Sequence, residues 1–180
     1  MSEPPVVPVL ETPRLRLRPW VETDAAALHA CFGDAASMRF WDSLPSRDLA
    51  ETAARIRGSR EVNPQWHAAF AVARRVDDQV VGMVNYHARV PANRRLAVGW
   101  IVAPLWRRQG IMREAVSALL DHCFTSLDTH RIEARIEPGN HASIGLAEAL
   151  GFVQEGLMRD WLFVGGEPRS MLLYALLRPS

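Results

Sequence analysis

The sequence contains no lysine, because all 21 of its basic residues are arginines. This absence excludes three mechanisms that depend on a lysine side chain. A Walker P-loop needs a lysine on the nucleotide phosphates, Schiff-base chemistry needs a lysine amine, and protein kinases need a lysine on a strand beside the nucleotide. The missing lysine therefore narrows the possible chemistry without indicating a particular reaction.

Excess charge and long apolar runs are also missing. The 180 residues include 20 acidic side chains against the 21 arginines, a net charge of +1, which argues against nonspecific nucleic-acid binding. The longest uncharged apolar runs, such as 98–106 and 171–177, are far shorter than a membrane span. The first ten residues hold three prolines and no positive charge, so no signal peptide is expected. We therefore expect a cytoplasmic protein with neither a nucleic-acid nor a membrane partner.

Several site motifs are absent as well. The two cysteines, Cys31 and Cys123, are far apart and are expected to be free buried thiols. The six histidines show no H-x-x-x-H spacing and the cysteines no C-x-x-C spacing, so no metal site is predicted. Neither a dinucleotide-binding glycine motif nor the G-x-S-x-G motif of serine hydrolases occurs.

Hydrophobic periodicity predicts a single α/β domain over residues 10–178, preceded by an extended, proline-rich segment over residues 1–9. Thr23 and Ser46 are predicted to cap the first two helices, which end near Gly33 and Gly58. The segment 95–137 predicts a βαβ unit with parallel strands in an otherwise antiparallel sheet. The predicted strands are 14–18, 67–74, 80–89, 95–102, 131–137, 158–164 and 170–177, and the other predicted helices are 111–125 and 142–150.

The loop before helix 111–125 carries the most informative pattern. It contains Arg107, Arg108 and Gly110 directly before the first helical turn, where backbone N–H groups have no partner within the helix. A glycine lets a phosphate approach the backbone closely, and the arginines add positive charge. The loop therefore predicts a pyrophosphate site, although an ordinary strand-to-helix turn with solvated arginines has the same pattern.

The spacing Arg107-x-x-Gly110-x-Met112 resembles the acetyl-coenzyme A signature of the GNAT superfamily of N-acetyltransferases. Arg108 and Met112 depart from it, since relatives often have glycine and a small residue at these two positions. Further segments resemble the ribosomal-protein (Rim-type) branch of this superfamily, and together they span residues 10–177. These segments are 10–18, 99–102, 140–143, 150–156 and 172–176.

The resemblance implies a GNAT fold, in which a mixed, mostly antiparallel sheet has a central parallel pair that splays to hold acetyl-CoA. It implies direct attack of an amine on the thioester of acetyl-CoA, which serves as co-substrate without a metal. The acceptor would be a protein amino terminus or a small amine, and a homodimer is compatible with the resemblance. The cofactor-binding residues it implies are Ile101, Val102, Arg107, Arg108, Gln109, Gly110, Ile111, Met112 and Asn140.

Ser143 matches a hydroxyl proposed in the Rim-type branch to give a proton to the departing thiolate. It follows Asn140 by three positions at a predicted helix start, so either residue could instead cap the helix. The branch also has a glutamate as general base, and Leu162 stands at the matching position. Asp160 is a nearby substitute, because a shift of two residues along a strand keeps the side chain on the same face as Leu162. His87, Glu133 and Glu137 are further candidates, for which a solvated strand residue is the simpler interpretation.

Three of the six tryptophans are candidates for an acceptor pocket. Trp41 and Trp66 lie before the strand 67–74, in the variable region where the resemblance implies an acceptor pocket. Trp100 follows Gly99 on the central strand, although all three could instead belong to the core. A second functional class is open at this point, because Met112 and Leu162 are also compatible with a non-catalytic CoA-binding module.

Overall fold

The computed structural model describes residues 7–179, so most of the predicted amino-terminal lead-in lies outside the described residues. All strands in this part of the chain join one sheet in the order β1-β2-β3-β4-β5-β6-β8-β7. The helices are α1 (Ala25–Phe32), α2 (Ala35–Met38), α3 (Leu49–Arg60), α4 (Ile111–Thr125) and α5 (His141–Ala149). The strands are β1 (Leu10–Glu11), β2 (Leu15–Pro19), β3 (Ala68–Arg74), β4 (Val80–Val90), β5 (Arg95–Val102), β6 (Arg131–Ile136), β7 (Val153–Val164) and β8 (Glu167–Leu177).

The sheet has the predicted mixed character. β5 and β6 pair in parallel, and the other neighbouring strands pair antiparallel. β5 and α4 occupy the predicted residue ranges, because each has a strong hydrophobic period and because Pro104 and Gly110 interrupt the chain between them. The prediction of a mixed α/β fold with one parallel pair is confirmed.

Each face of the sheet carries its own hydrophobic cluster. α4 packs on one face, where Val116 and Leu119 meet Phe70 and Ile132. α1 and α3 cover part of the other face, where Leu28 and Ile56 belong to the second cluster. β4 contributes to both clusters because successive side chains of a strand point to opposite faces. The sheet is therefore packed on both faces where it supports the central strands.

The two helices predicted to end near Gly33 and Gly58 exist as α1 and α3, but their predicted caps are wrong. A short 3-10 turn over Glu22–Asp24 leads into α1, and Thr23 makes no capping bond. At α3 the cap is Asp48, whose Oδ1 accepts a hydrogen bond of 2.8 Å from the Glu51 N–H. The Ser46 hydroxyl is instead buried, with no hydrogen-bond partner in the described part of the chain.

Asp48→Ala is expected to lower the free energy of unfolding by about 1 kcal/mol, because it leaves the Glu51 N–H without its cap. Chemical unfolding of the purified variant measures the effect. Ser46→Ala is the matched control, and we expect it not to lower stability, because the buried Ser46 hydroxyl has no hydrogen-bond partner to lose. A larger loss in the control than in Asp48→Ala would contradict this assignment of the cap.

Cys31 and Cys123 are both free and buried, as predicted. Burial raises the pKa of the Cys31 thiol to about 12 and also raises that of Cys123. Both thiols are therefore protonated and unreactive at neutral pH. Within residues 7–179, no helix is long and apolar enough to span a membrane.

Candidate active site

The sheet opens where β5 and β6 separate. These strands pair only from Arg95 to Ala97 on β5, although β5 continues to Val102. Gly99 lies just beyond this point, and a Cβ there would come within 2.8 Å of the Asn85 Oδ1 atom. The opening exposes backbone of the second half of β5, which confirms the splayed arrangement that the resemblance implies.

Two cavities adjoin this opening and share several lining residues. The loop cavity, of about 740 Å³, is lined by the segment before α4 and by the start of α5. The aromatic cavity, of about 390 Å³, lies over β4, β5 and β6. The residues that line both cavities are Phe40, Trp41, Trp100, Asn140 and Ser143.

The loop before α4 is fixed in a special backbone conformation. Gly110 has φ +74° and Arg108 has φ +62°, both in the left-handed region. Arg14 supports the loop from β2's side: its Nη1 donates to the Gln109 carbonyl at 3.1 Å and its Nε donates to Glu114 Oε2 at 2.6 Å. Glycine suits position 110 because its lack of a Cβ removes the steric cost of this φ.

The loop cavity has the electrostatics of an anion site. The first N–H bonded within α4 is that of Glu114, to the Gly110 carbonyl, so the preceding N–H groups are free to bind a ligand. Arg107, Arg108 and Arg113 also line the cavity, and no ion pair among residues 7–179 involves them. Together the helix dipole and three guanidinium groups favour a polyanion such as a pyrophosphate.

Most of the predicted cofactor residues lie along the loop cavity. Gln109 does not line it, because its Nε2 donates to the Leu105 carbonyl at 2.9 Å and its own carbonyl accepts from Arg14. Met112 is buried in the core cluster and also borders the cavity. The predicted residues that line the cavity are Ile101, Val102, Arg107, Arg108, Gly110, Ile111, Met112 and Asn140.

Ser143 and Asn140 have separate positions at the start of α5. The Asn140 Oδ1 atom accepts a hydrogen bond of 3.2 Å from the Ser143 N–H, so Asn140 is the cap. The Ser143 hydroxyl accepts from Trp100 Nε1 at 3.2 Å. The Ser143 side chain takes no part in capping the helix. Its hydroxyl is therefore available where the two cavities meet.

The structure does not place Asp160 at the aromatic cavity. A bulge between Met158 and Leu162 interrupts the pairing of β7 with β8, and Asp160 adopts a left-handed φ of +49° within it. Asp160 is exposed and its N–H bonds to Ser170 Oγ, whereas Leu162 lines the cavity. The expectation that Asp160 shares a strand face with Leu162 is therefore wrong, because the extra residues of a bulge break the alternation of side chains.

Two other candidates for the general base are engaged in ion pairs. Glu133 lies 2.9 Å from Arg131 and 3.2 Å from Arg135, and Glu137 lies 2.7 Å from Arg169. Both carboxylates are thus held by arginine side chains of the protein, and neither lines the aromatic cavity. Among the described residues, no group of His, Cys, Asp and Glu side chains is arranged to hold a metal ion.

His87 is the remaining candidate, and it lines the aromatic cavity. Its Nδ1 is buried and has no hydrogen-bond partner in residues 7–179. Burial, with smaller contributions from Arg135 and His67, lowers the pKa of His87 to about 4, and Asp42 opposes this shift. The imidazole is therefore neutral at pH 7.

His87 is expected to make the fold sensitive to mild acid. Between pH 6.5 and about 4 the unfolded chain binds a proton at His87 that the folded chain does not, so the free energy of unfolding falls as pH falls. His87→Gln should remove this part of the fall. Urea unfolding at pH 7, 6 and 5 tests the difference, and equal pH dependence of the two proteins would contradict it.

The aromatic cavity contains two of the three predicted tryptophans. Trp41 and Trp100 line it, whereas Trp66 lies exposed at the surface before β3 and does not. Trp161 on β7 lines the cavity in its place and was not predicted. The prediction that Trp66 lines the pocket is therefore wrong. Trp161 lines it instead, because β7 carries this residue to the opening.

The chain is similar to a known family of enzymes and to curated relatives in bacteria. A family model described as an acetyltransferase (GNAT) domain matches residues 14–153. Uncharacterized N-acetyltransferase p20 of Bacillus licheniformis is 30% identical over 170 residues, which cover 94% of this chain and 96% of the relative. The [ribosomal protein uS5]-alanine N-acetyltransferase of Escherichia coli (strain K12) is 30% identical over 105 residues, which cover 58% of this chain and 54% of the relative.

The fold is also found among solved structures. RimL, a ribosomal L7/L12 alpha-N-protein acetyltransferase solved in complex with coenzyme A, matches with a TM-score of 0.83 and 22% identity. The match covers 94% of this chain and 98% of that chain. At this identity the match establishes the shared fold alone. The sequence matches, by contrast, favour an enzyme over a non-catalytic module.

Proposed function

This chain belongs to the GNAT family and is an N-acetyltransferase, and on that basis we propose that it transfers an acetyl group from acetyl-CoA to a primary amine. The observation that carries the proposal is the position of Ser143, whose hydroxyl lies where a cationic loop cavity meets an aromatic cavity. One cavity suits the charged cofactor and the other suits the acceptor. A reaction between the two ligands would therefore take place beside this hydroxyl.

In the loop cavity, the N–H groups at the start of α4 and the guanidinium groups of Arg107 and Arg108 would hold the pyrophosphate of coenzyme A. The free backbone of β5 at Ile101 and Val102 would bind the pantetheine arm as an added strand. This places the thioester towards Gly99 and Ser143. The residues present therefore fit acetyl-CoA without a metal.

The transfer itself exchanges one bond for another. The amine nitrogen bonds to the thioester carbonyl carbon and the C–S bond breaks. The amine loses a proton to solvent, the thiolate gains one from its donor, and solvent returns a proton to that donor. Backbone N–H groups of β5 would stabilise the oxyanion that forms in between. The Ser143 hydroxyl, held by Trp100 Nε1, would give its proton to the departing thiolate.

Further parts of the proposal concern the context of the enzyme. We propose that residues 10–178 form one catalytic domain, since all described strands belong to one sheet. We also propose a cytoplasmic location, because both cysteines are free thiols. The uS5-alanine N-acetyltransferase of Escherichia coli supports an amine as acceptor, since its name specifies an alanine of a ribosomal protein.

Release of free thiol from acetyl-CoA in the presence of amines tests the proposed function. A panel should contain peptides with free amino termini, amino acids, polyamines and simple alkylamines. We expect thiol release that requires an acceptor, together with a mass gain of one acetyl group on that acceptor. Binding of coenzyme A without turnover on any member of the panel would instead support the non-catalytic module.

A further inference from the structure

The guanidinium group of Arg135 borders the aromatic cavity and is only partly satisfied by protein. Of its five N–H donors, the hydrogen bonds in the described residues use only Nη2, which donates to Glu133 Oε2 at 3.2 Å. Its Nε is buried and has no partner. The ring of Trp161 lies 5.1 Å from the Arg135 Cζ atom and stacks against the group. Arg135 is thus positioned by its neighbours, while both N–H groups of Nη1 and one of Nη2 have no hydrogen-bond partner among the described residues.

The charges around Arg135 do not cancel. Glu133 faces Arg131 and Arg135, with Arg95 at 3.9 Å, so one carboxylate is shared among three arginines. Arg131 has a second partner, because its Nη2 lies 2.5 Å from Glu155 Oε2. The cluster therefore contains three cations and two anions, and Arg135 is the arginine of this cluster that lines the cavity. Such a site attracts an anionic oxygen.

The rest of the cavity lining contains little negative charge. Asp42 is the only acidic residue among the described residues that line it. His67 and His87 also line it, and burial lowers the pKa of both imidazoles, so neither adds charge at pH 7. With one carboxylate and one guanidinium, the lining complements a ligand of one positive and one negative charge. It does not complement a polycation.

We propose that the acceptor is a small amine that also carries a carboxylate, of the amino acid type, and that Arg135 binds this carboxylate. This inference rests on the proposed function and names its acceptor class. An Arg–carboxylate contact is frequently bidentate, which would orient the amine as well as bind it. Arg135 is therefore a specificity-determining residue rather than a catalytic one.

The size and walls of the cavity support the same class. Its volume of about 390 Å³ is at the small end of small-molecule sites, so a compact ligand fits within it. Phe40, Trp41 and Trp161 supply apolar walls, which favour an acceptor with a hydrophobic side chain. A peptide would present a neutral carbonyl to Arg135 in place of a carboxylate and would gain less from the guanidinium.

Matched acceptors test the inference directly. Each set contains an amino acid, its carboxamide and its decarboxylated amine, for example phenylalanine, phenylalaninamide and phenethylamine, with equivalent sets for leucine and methionine. Spermidine and a tetrapeptide complete the panel. From the contribution of a charge-assisted hydrogen bond, we expect kcat/KM for the amino acid to exceed that for the decarboxylated amine by about 10- to 100-fold. Equal values within a set, or a preference for spermidine or the tetrapeptide, would overturn the inference.

Two variants show whether Arg135 carries this preference. In Arg135→Gln, kcat/KM for the amino acid should fall to the level of the decarboxylated amine, while the decarboxylated amine itself is little affected. Arg95→Gln removes another cation beside Glu133 at a residue that does not line the cavity, and it should keep the preference. Melting temperatures and coenzyme A affinity confirm that both variants fold. Loss of the preference in both variants would assign it to Glu133 or to general charge and overturn the role of Arg135.

Binding separates failure of this inference from failure of the proposed function. Calorimetric titration of the protein loaded with coenzyme A measures the affinity for each acceptor without turnover. Amino acid binding that depends on Arg135, in the absence of acetyl transfer, would support the acceptor class and contradict the enzymatic proposal. Acetyl transfer to amines without any dependence on a carboxylate would support the enzymatic proposal and contradict the acceptor class.

Discussion

Gly110→Val is expected to abolish the binding of coenzyme A. Position 110 has φ +74°, which a β-branched residue adopts only at a cost of about 1–3 kcal/mol. A Cβ there would also lie 3.3 Å from Arg14 Nη2, the guanidinium that holds the loop. The loop would therefore rearrange, and the N–H groups before and within the first turn of α4 would no longer converge on a phosphate. Loss of two such bonds to a charged ligand weakens binding by about 100-fold or more.

The measurement is a calorimetric titration with coenzyme A, accompanied by a melting curve. Gly166→Val is the matched control, since Gly166 has a similar positive φ of +89° and open space around it, but lies in the turn between β7 and β8. Both variants should lose some stability, and only Gly110→Val should lose the ligand. Unchanged affinity in Gly110→Val would show that this loop does not bind the pyrophosphate.

Ser143→Ala is expected to lower kcat by about 100-fold, the lower end of what general acid catalysis contributes. The thiolate would then leave without a proton donor in place. Affinity for acetyl-CoA should change little. Stability should also be retained, because the capping bond joins the Ser143 backbone N–H to Asn140 and does not involve the hydroxyl that is removed.

Asn140→Ala provides the comparison for Ser143→Ala, because it removes the cap and leaves the hydroxyl. It should lower the free energy of unfolding by about 1 kcal/mol. It should also weaken acetyl-CoA binding, since Asn140 lines the loop cavity and is one of the cofactor-binding residues that the resemblance implies. Steady-state kinetics and chemical unfolding of both variants separate the two roles. If kcat of the Ser143→Ala enzyme is unchanged, water can protonate the thiolate, and the assignment of this hydroxyl as the acid is refuted.

Local patterns predicted the central part of this fold well. β5 and α4 have long hydrophobic periods bounded by proline and glycine, so their limits can be assigned from neighbouring residues alone. The caps of α1 and α3 could not be assigned in this way. Several polar residues precede each helix, and which of them reaches a free N–H depends on backbone angles that the packing of the helix imposes.

The candidate site divides in the same way. The loop from Arg107 to Met112 is contiguous in sequence, so its spacing alone pointed to an anion site. The aromatic cavity is built from segments far apart in the chain, and reasoning along the sequence misplaced Asp160 and Trp66 and missed Trp161. The bulge at Met158–Leu162 caused the error at Asp160, since a strand without it would have kept residues 160 and 162 on one face.

Arg135 shows most clearly what the tertiary structure added. In the sequence it is one of four alternating charged residues on a predicted strand, where a solvated face is the simplest interpretation. The divergence of β5 from β6 opens a cavity beside this strand, and Trp161 arrives from β7 to pack against the guanidinium. The sequence by itself determined the main elements, their order and the position of the loop before α4, because short-range periodicity and backbone preference govern them. It did not indicate β1, α2 or the first half of β7. Only the tertiary structure decided which side chains line the aromatic cavity, because that depends on where non-adjacent strands separate and return.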